Sequence, residues 1–349
     1  MKSIKNIIKK ILLVDEGPKP LFSRKLLDPL QKISKDGFDY CQYGNLNKDK
    51  TFYVINRSSH AGIFSYLSFV LNHLLIAKQY NFIPVVDMQN FTNPYNEIDK
   101  IHDTLNSWEY YFEQTSNYDL SEVYSSKNVI FSRNDFNVNM SYRIHLEPKF
   151  NELKKKEIRI KQIYNDYVND YFKKNNLENK KILGIHFRGT SYKTSRGHIF
   201  PATIDQMKQN VDKILLQEKF DKIFLCSEEK NYLDFFIKNY SDKLLYLDTY
   251  RSDQNDAFKK YNRKNHRYLL GDESIKEALI LSNCSSLLFV RSNIINAANF
   301  FSDKEQNLYE IFNGFNSRNQ FISRFLWFIK KNLPTNFYGL KGELLKSKN

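Results

Sequence analysis

The sequence predicts an α/β protein that folds in two halves. A strand, a loop, a helix and a second strand follow one another in residues 52–87, and a longer alternation of strands and helices occupies residues 182–300. Between them, residues 150–178 are highly charged but carry apolar side chains at helical spacing, which indicates a long joining helix. Strands that alternate with helices favour parallel sheets with right-handed crossovers. The 349 residues are enough for two domains of ordinary size.

The N-terminal half is expected to be an α/β domain at residues 51–178, including the joining helix. Residues 1–50 precede it, and turn formers such as Gly17, Pro18 and Gly37 predict a loosely structured lead-in. Alternating apolar runs and amphipathic stretches define the elements of the domain. The predicted elements are strands at 52–55, 82–86 and 128–131 and a helix at 63–80.

The C-terminal half is expected to be a second α/β domain at residues 179–320. Residues 321–349 follow as an amphipathic helix, over 321–333, and a tail. We prefer packing of that helix against the first domain to contact with a membrane. The predicted strands of the second domain are 182–187, 222–226, 244–247 and 286–290, and its predicted helices are 202–217, 231–240, 274–282 and 294–300.

Composition indicates a globular protein, because 41% of the residues are hydrophobic and 15% are aromatic. The net charge of +14 suits nucleic acid, an anionic membrane surface or an acidic substrate. Lys is abundant together with Asn, Ile, Tyr and Phe, which AT-rich coding alone also produces. The sequence has no aromatic-plus-basic signature for reading RNA and no zinc-finger spacing. We therefore expect no nucleic-acid partner.

Cysteine usage and hydropathy bear on the compartment. Cys41, Cys226 and Cys284 are widely spaced and odd in number, which argues against a disulfide framework and favours a reducing cytosol. The sequence contains no run of about 18 apolar residues, so we expect no transmembrane helix. Residues 1–14 mix Lys with apolar residues but make a poor signal peptide, so a basic helix touching a membrane and a plain surface helix both remain open. We expect a cytoplasmic location, with peripheral contact at the inner membrane surface as an option.

The stretch from Lys181 to Pro201 carries the strongest chemical signal. Its apolar start predicts a buried strand, and this strand delivers His186 and Arg188 into a Gly-Thr-Ser loop. The planar guanidinium of Arg188 suits a diphosphate, and ligands of α/β sheets bind at the carboxyl ends of strands. The alternative is an ordinary strand followed by a surface turn in which Arg188 forms a salt bridge. The residues alone leave both interpretations open.

The run from His186 to Pro201, HFRGTSYKTSRGHIFP, resembles the donor-binding motif of the α1,6-fucosyltransferases. This superfamily also holds Nod-factor fucosyltransferases and protein O-fucosyltransferases. Three further segments are similar to the same family, and the matched segments together cover most of residues 51–320. The resemblance implies a GT-B-like architecture, two Rossmann-like domains facing a cleft, with the nucleotide sugar held in the C-terminal domain.

The chemistry that the resemblance implies is transfer of fucose from GDP-fucose to a sugar hydroxyl, with inversion of the anomeric centre. It implies no metal site and no cofactor beyond the donor substrate. Arg188 would then supply the positive charge that a cation supplies in other enzymes. Three departures from the family pattern concern this chemistry: Gly189 replaces a second Arg, Ser191 replaces an Asp, and Arg196 replaces the Glu expected as the base.

The donor-binding residues follow from the same resemblance. Acidic side chains at a strand end can hold a ribose or a base, and a Ser at a helix N-terminus suits phosphate. For His60 a loop hydrogen bond is the alternative to a sugar contact, and for Ser292 a simple N-cap can coexist with phosphate binding. The candidates are His60, Gly62, His186, Gly189, Thr190, Ser191, Glu228, Glu229, Glu277, Ser292 and Asn293.

The acceptor side is less well determined by the sequence. His198 is close to the motif and could act as the catalytic base, with Glu109 as the rival. Trp108 could stack on an acceptor sugar or could pack in the first domain's core. The readings left open are a fucosyltransferase that acts on a surface glycan or lipid-linked oligosaccharide, a transferase that uses another nucleotide sugar, and a sugar- or nucleotide-binding protein without catalysis.

Overall fold

The computed structural model describes residues 19–133, 157–254, 256–259 and 263–348. The described strands form one five-stranded and one six-stranded sheet, and helices pack on both. The strands are β1 (Gln31–Lys35), β2 (Phe38–Gln42), β3 (Phe52–Ile55), β4 (Ile83–Val86), β5 (Val129–Phe131), β6 (Ile182–His186), β7 (Lys222–Cys226), β8 (Leu244–Leu245), β9 (Ser286–Phe289), β10 (Asn307–Phe312) and β11 (Glu343–Lys348). The α-helices are α1 (Ile63–Gln79), α2 (Leu120–Val123), α3 (Gln162–Lys174), α4 (Ile204–Gln217), α5 (Lys230–Tyr240), α6 (His266–Ser282), α7 (Asn293–Phe301) and α8 (Gln320–Lys330).

The N-terminal sheet has the order β1-β2-β5-β3-β4. Strand β3 is parallel to both β4 and β5, and α1 crosses over from β3 to β4, as the sequence predicts. The expectation that the lead-in is loosely structured is wrong over residues 31–42, because β1 and β2 form an antiparallel hairpin there. Asp36 and Gly37 take positive φ angles of 53° and 80° at its turn, as an Asp-Gly hairpin turn requires.

The C-terminal sheet has the order β11-β10-β9-β6-β7-β8. Strands β6 to β10 are parallel, so the carboxyl ends of β6, β7 and β9 lie along one edge. These three strands are apolar because both of their faces are covered. Gly184 stands in β6 because a side chain there would meet Leu287 at 2.7 Å and Leu281 at 2.9 Å.

The C-terminal segment belongs to the second half, not to the first. Strand β11 pairs antiparallel with β10 and completes the edge of the sheet. Trp327 of α8 packs with Phe200 and Leu340, and its indole N–H donates to the Pro201 carbonyl at 3.1 Å. The expectation that this helix packs against the first domain is therefore wrong.

Two helices join the halves. Helix α3 lies in the predicted joining stretch, of which residues 150–156 fall outside the described residues, and it packs on α6. Helix α6 begins at His266, well before the predicted start at Ser274, and its first turn contacts the N-terminal half. Arg267 Nη1 donates to the Pro94 carbonyl at 2.7 Å, and the Tyr268 N–H donates to Glu97 Oε1 at 2.9 Å.

One hydrophobic core includes residues of β3 and α1 together with residues of α6, α7 and β9. The halves therefore share apolar packing, and the predicted α/β class with two halves facing a cleft is confirmed. Over the described residues, no helix combines the length and apolarity needed to cross a bilayer.

Candidate active site

A cavity of about 880 Å³ opens between the two halves. The N-terminal half contributes residues 60–65, which form the end of a loop and the first turn of α1, and the ring of Tyr95. The C-terminal half contributes the ends of β6 and β7, α6, the start of α7, and α8. Of the residues proposed from the sequence, the cavity brings together His60, Gly62, His186, Arg188, Thr190, Ser191, His198, Glu228, Glu277, Ser292 and Asn293.

His186 is the last residue of β6, and its ring is buried against the start of α7. Its Nδ1 atom lies 3.0 Å from Ser292 Oγ. Burial, with a smaller contribution from the charge of Arg188, lowers the pKa of His186 to about 3. The imidazole is therefore neutral at physiological pH and can donate one hydrogen bond and accept another.

Arg188 lies two residues beyond His186, inside the cavity wall. Its Nη1 atom is 2.6 Å from Glu228 Oε2, its Nη2 donates to Ser191 Oγ at 3.2 Å, and the guanidinium stacks 4.7 Å from the centre of the Tyr192 ring. Its Nε is buried and has no acceptor among the described residues. Burial is the largest single effect and opposes the positive charge, but Glu228 and smaller contributions led by Tyr192 together raise the pKa of Arg188. The cavity therefore contains a permanent cation with donors to spare.

The loop after Arg188 is held by the two carboxylates that follow β7. Glu228 accepts from the Thr190 hydroxyl, and Glu229 accepts from the Thr190 N–H and, at 2.6 and 2.7 Å, from Lys193 Nζ. Thr190 has a φ of 30°, an unfavourable value for a residue with a branched side chain, so these bonds fix a strained loop. A side chain at position 189 would collide with Glu229, which explains the glycine.

Glu229 and Gly189 do not line the cavity. Glu229 is buried beneath the loop, where it positions Thr190 and Lys193. The structure thus corrects the expectation of donor contact for these two residues and gives them a supporting position instead.

Glu277 projects from α6 into the floor of the cavity. Cys226 Sγ donates to its Oε2 at 3.2 Å, Thr249 Oγ1 lies 3.5 Å from its Oε1, and Arg251 Nη2 lies 3.8 Å from the same oxygen. Burial raises the pKa of Glu277 to about 7, although Arg251 opposes the shift. This carboxyl can therefore offer either a donor or an acceptor near neutral pH.

Ser292 occupies the N-cap position of α7, but its hydroxyl does not cap the helix. The hydroxyl bonds His186 instead, so the simple N-cap expected as one role of Ser292 is absent. The first amides of α7, beginning at Asn293, therefore receive no acceptor from that side chain and carry the positive end of the helix dipole at the cavity.

His198 stands at the exposed rim of the cavity, with its ring 4.9 Å from that of Tyr192. Partial burial, followed by the charge of Arg188, lowers its pKa below the ordinary value of 6.5. A neutral imidazole at this place can accept a proton.

Trp108 and Glu109 do not reach the cavity, so the structure corrects both expectations. Trp108 is fully buried, stacks on Phe112 with ring centres 4.3 Å apart, and donates its indole N–H to the Glu113 carbonyl. The Glu109 carboxylate accepts hydrogen bonds from Thr104, Asn106 and Gln114 at 2.8 to 3.0 Å. Both residues stabilise the N-terminal half.

Several residues of the cavity were not predicted from the sequence. Tyr192 lies within the donor-like motif and could have been selected as an aromatic partner of Arg188. Tyr95, by contrast, reaches the site from the other half, where its hydroxyl accepts from the Ile63 N–H at 2.9 Å. Arg324, on α8, lines the opposite wall. No local pattern in the sequence connects these last two residues with the motif.

Taken together, the cavity presents a permanent cation, a helix N-terminus and a neutral imidazole to one space. Such groups suit the binding of a phosphate ester and the removal of a proton from a hydroxyl. In the part of the chain that the structure describes, no group of three His, Cys, Asp or Glu side chains is arranged to hold a metal ion.

No family model matches the sequence, and no curated protein does either. Among solved structures, NodZ alpha-1,6-fucosyltransferase soaked with GDP-fucose is 13% identical over 86% of this chain and 100% of that chain, with a TM-score of 0.49. The fucosyltransferase NodZ from Bradyrhizobium is 13% identical over 75% of this chain and 96% of that chain, with a TM-score of 0.45. POFUT1 in complex with GDP-fucose is 9% identical over 73% of this chain and 94% of that chain, with a TM-score of 0.39.

Both NodZ structures are of fucosyltransferases, the family that the motif around Arg188 resembles.

Proposed function

We propose that this protein is an inverting glycosyltransferase that transfers fucose from GDP-fucose to a sugar hydroxyl. The observation that carries the proposal is the position of Arg188 at the tip of β6, inside the cavity between the halves. The resemblance of its motif to the α1,6-fucosyltransferases supplies the donor. A volume of about 880 Å³ is in the range that protein cavities offer to nucleotide-sized ligands.

The diphosphate of the donor is assigned to Arg188 and the groups around it. Arg188 Nη2 can donate to a phosphate oxygen while Nη1 stays on Glu228. The hydroxyls of Thr190 and Ser191 and the first amides of α7 line the same space. Glu277 and His186 are assigned to the nucleoside, because each can act as donor or acceptor at neutral pH.

The transfer step uses His198 as the general base. The acceptor hydroxyl attacks the anomeric carbon from the side opposite the diphosphate, and its proton passes to a ring nitrogen of His198. The bond from the anomeric carbon to the phosphate oxygen breaks at the same time, and GDP leaves with the electron pair. Arg188 stabilises the negative charge that develops on the leaving diphosphate.

We further propose that Arg188 makes a metal unnecessary for this step, so that transfer continues in the presence of EDTA. The acceptor is inferred to be a sugar hydroxyl of a surface glycan or of a lipid-linked oligosaccharide. A reducing, cytoplasmic location is supported by Cys41, Cys226 and Cys284, which are all buried as free thiols.

A second candidate is a nucleotide-binding protein without transferase activity. It is favoured by the exposed Arg196 at the position where the family's base is expected. Transfer of a sugar other than fucose remains the closest variant of the first proposal.

Calorimetric titration with GDP, GDP-fucose and UDP-glucose tests these proposals, together with a transfer assay on simple sugar acceptors. We expect binding of GDP and GDP-fucose and no binding of UDP-glucose. Binding of GDP with neither hydrolysis nor transfer would support the second candidate. Preferential binding of a uridine nucleotide would contradict the assignment of the donor.

A further inference from the structure

Helix α8 and the turn after it present an exposed apolar face. Within the helix the exposed fractions run from 43% for Phe328 to 58% for Phe321, and Phe337 beyond it is 66% exposed. Soluble monomers seldom leave so many large apolar side chains exposed on one helix and the turn that follows it. The C-terminal apolar face consists of Phe321, Ile322, Phe325, Phe328, Ile329, Leu333, Phe337 and Tyr338.

This exposure does not come from a loosely attached helix. The opposite side of α8 is buried through Ser323 and Trp327, and Trp327 donates to the Pro201 carbonyl at 3.1 Å. Asn319 caps the helix, because its Oδ1 accepts from the N–H groups of Phe321 and Ile322 at 2.9 and 3.2 Å. The fold therefore holds the helix in place with the apolar side chains directed outward.

The segment of sequence that contains the face carries charge of a single sign. Residues 311–342 contain five basic residues and neither Asp nor Glu. At helical spacing, Arg324 and Lys331 border one edge of the apolar arc, and Lys330 lies beyond the other edge. Lys and Arg at such edges can extend their charged ends to lipid headgroups while their methylene chains stay on apolar surface.

We propose that the C-terminal apolar face docks on an anionic lipid bilayer, with its phenylalanines at the boundary between headgroups and acyl chains. A fixed amphipathic helix with aromatic residues on one side and basic residues at its borders is suited to this position. A second copy of the chain is the less suitable occupant, because pairing two such faces would bring their basic borders together.

The docked orientation places the cavity beside the lipid. Gln320, Ser323 and Arg324 of α8 line the cavity, while the apolar side chains of the same helix face outward. A bilayer against α8 would therefore bring a lipid-linked acceptor close to the cavity. This consequence rests on the proposed function, whereas the contact with lipid does not.

Flotation with vesicles tests the contact. The full-length protein is mixed with vesicles of phosphatidylcholine and phosphatidylglycerol, or of phosphatidylcholine alone. We expect binding to the anionic vesicles that weakens as salt is raised. The double variant Phe325→Ser, Ile329→Ser should bind the anionic vesicles at least about tenfold more weakly. Burial of one such side chain in the interface already contributes a factor of about ten to the partition coefficient.

The matched control is the double variant Leu216→Ser, Ile237→Ser, which alters exposed apolar residues on α4 and α5 and should bind as the wild type does. A second pair, Phe337→Ser and Tyr338→Ser, tests the face outside the helix. Absence of wild-type binding, or equal losses in the control variant, overturns the proposal. Loss of a concentration-dependent dimer in the Phe325 and Ile329 variant, without vesicle binding by the wild type, assigns the face to self-association instead.

GDP titration of the same preparations separates the two proposals. Vesicle binding without GDP binding contradicts the proposed function alone, and GDP binding without vesicle binding contradicts the docking surface alone.

Discussion

The Oγ atom of Ser292 lies 3.0 Å from Nδ1 of His186. This contact links the last residue of β6 to the N-cap residue of α7. Ser292 is thereby withdrawn from capping its own helix. The His186 ring is fixed by the same contact, and the amides of α7 are left available to a ligand. The hydroxyl of Ser292 thus fixes the His186 ring and leaves the first amides of α7 without a side-chain cap.

Removing that hydroxyl should weaken nucleotide binding without unfolding the protein. For Ser292→Ala we expect the affinity for GDP to fall about fivefold to tenfold, because one buried hydrogen bond contributes about 1 kcal/mol. Calorimetry measures the affinity, and thermal melting checks the fold. Ser302→Ala, at the end of α7 and away from the cavity, is the control. Unchanged affinity would show that the contact has no part in binding.

Arg188→Ala should lower the turnover number by about a hundredfold or more, the scale of losing one preorganised donor to a developing negative charge. Glu228 is one-third exposed and can be hydrated once its partner is gone, so the fold should survive. Arg188→Lys keeps the charge but not the planar fork, and it should recover only part of the activity.

Lys208→Ala is the control for Arg188→Ala, because it breaks a surface ion pair with Asp212 far from the cavity. A variant lacking Arg188 that turns over at nearly the normal rate would remove the basis of the proposed function.

Glu277 should make the stability of the fold depend on pH. Its pKa is raised from 4.5 to about 7 in the folded protein, so its protonated form is favoured by folding. The contribution is fully present below the unfolded pKa of 4.5 and is lost as the pH rises through about 7. The total is on the order of 3 kcal/mol, as an upper limit.

Glu277→Gln removes this titration. Urea unfolding at a series of pH values should show that the wild type loses stability relative to the variant between about pH 4 and pH 8, with the difference constant outside that interval. A pH-independent difference would mean that the pKa of Glu277 is the same in the folded and in the unfolded protein.

His198→Gln should reduce the turnover number by about a hundredfold to ten-thousandfold and leave the affinity for GDP almost unchanged. In the wild type the pKa of His198 is lowered below 6.5. The turnover number should therefore rise with pH and reach its plateau at a lower pH than it would with a histidine of ordinary pKa. The variant should lack this rise. His102→Gln, outside the cavity, is the control, and a pH profile that persists in His198→Gln would assign the base elsewhere.

The sequence predicted the buried parallel strands β6, β7 and β9, because both faces of these strands are covered and their residues are largely apolar. It missed the buried parallel strand β10, in which Asn307 and Glu310 interrupt the apolar run. The same signal is absent from β1 and β11, whose side chains are mostly exposed, so neither strand was predicted. The early start of α6 was hidden for a related reason. Its first turn buries the polar residues His266, against the loop before the helix, and Arg267, against the other half, and no apolar periodicity marks them.

The residues of the candidate site that belong to one local motif could be predicted from the sequence. Those that reach the cavity from distant parts of the chain could not. Arg188 and its loop follow one strand, so their proximity was expected from the sequence. The role of Trp108 could not be decided from the sequence, because an aromatic residue that packs in a core and one that stacks on a sugar have the same sequence pattern. Tyr95 and Arg324 enter the cavity only through the tertiary arrangement.

The apolar core shared by β3, α1, α6 and β9 has a consequence for unfolding. Neither half alone can shield its part of that core from water, and α6 is hydrogen-bonded to the N-terminal half through Arg267 and Tyr268. The protein should therefore melt in a single cooperative heat-absorption peak rather than in two. Each half, expressed separately, should aggregate, since it would expose the part of the shared apolar core that the other half covers.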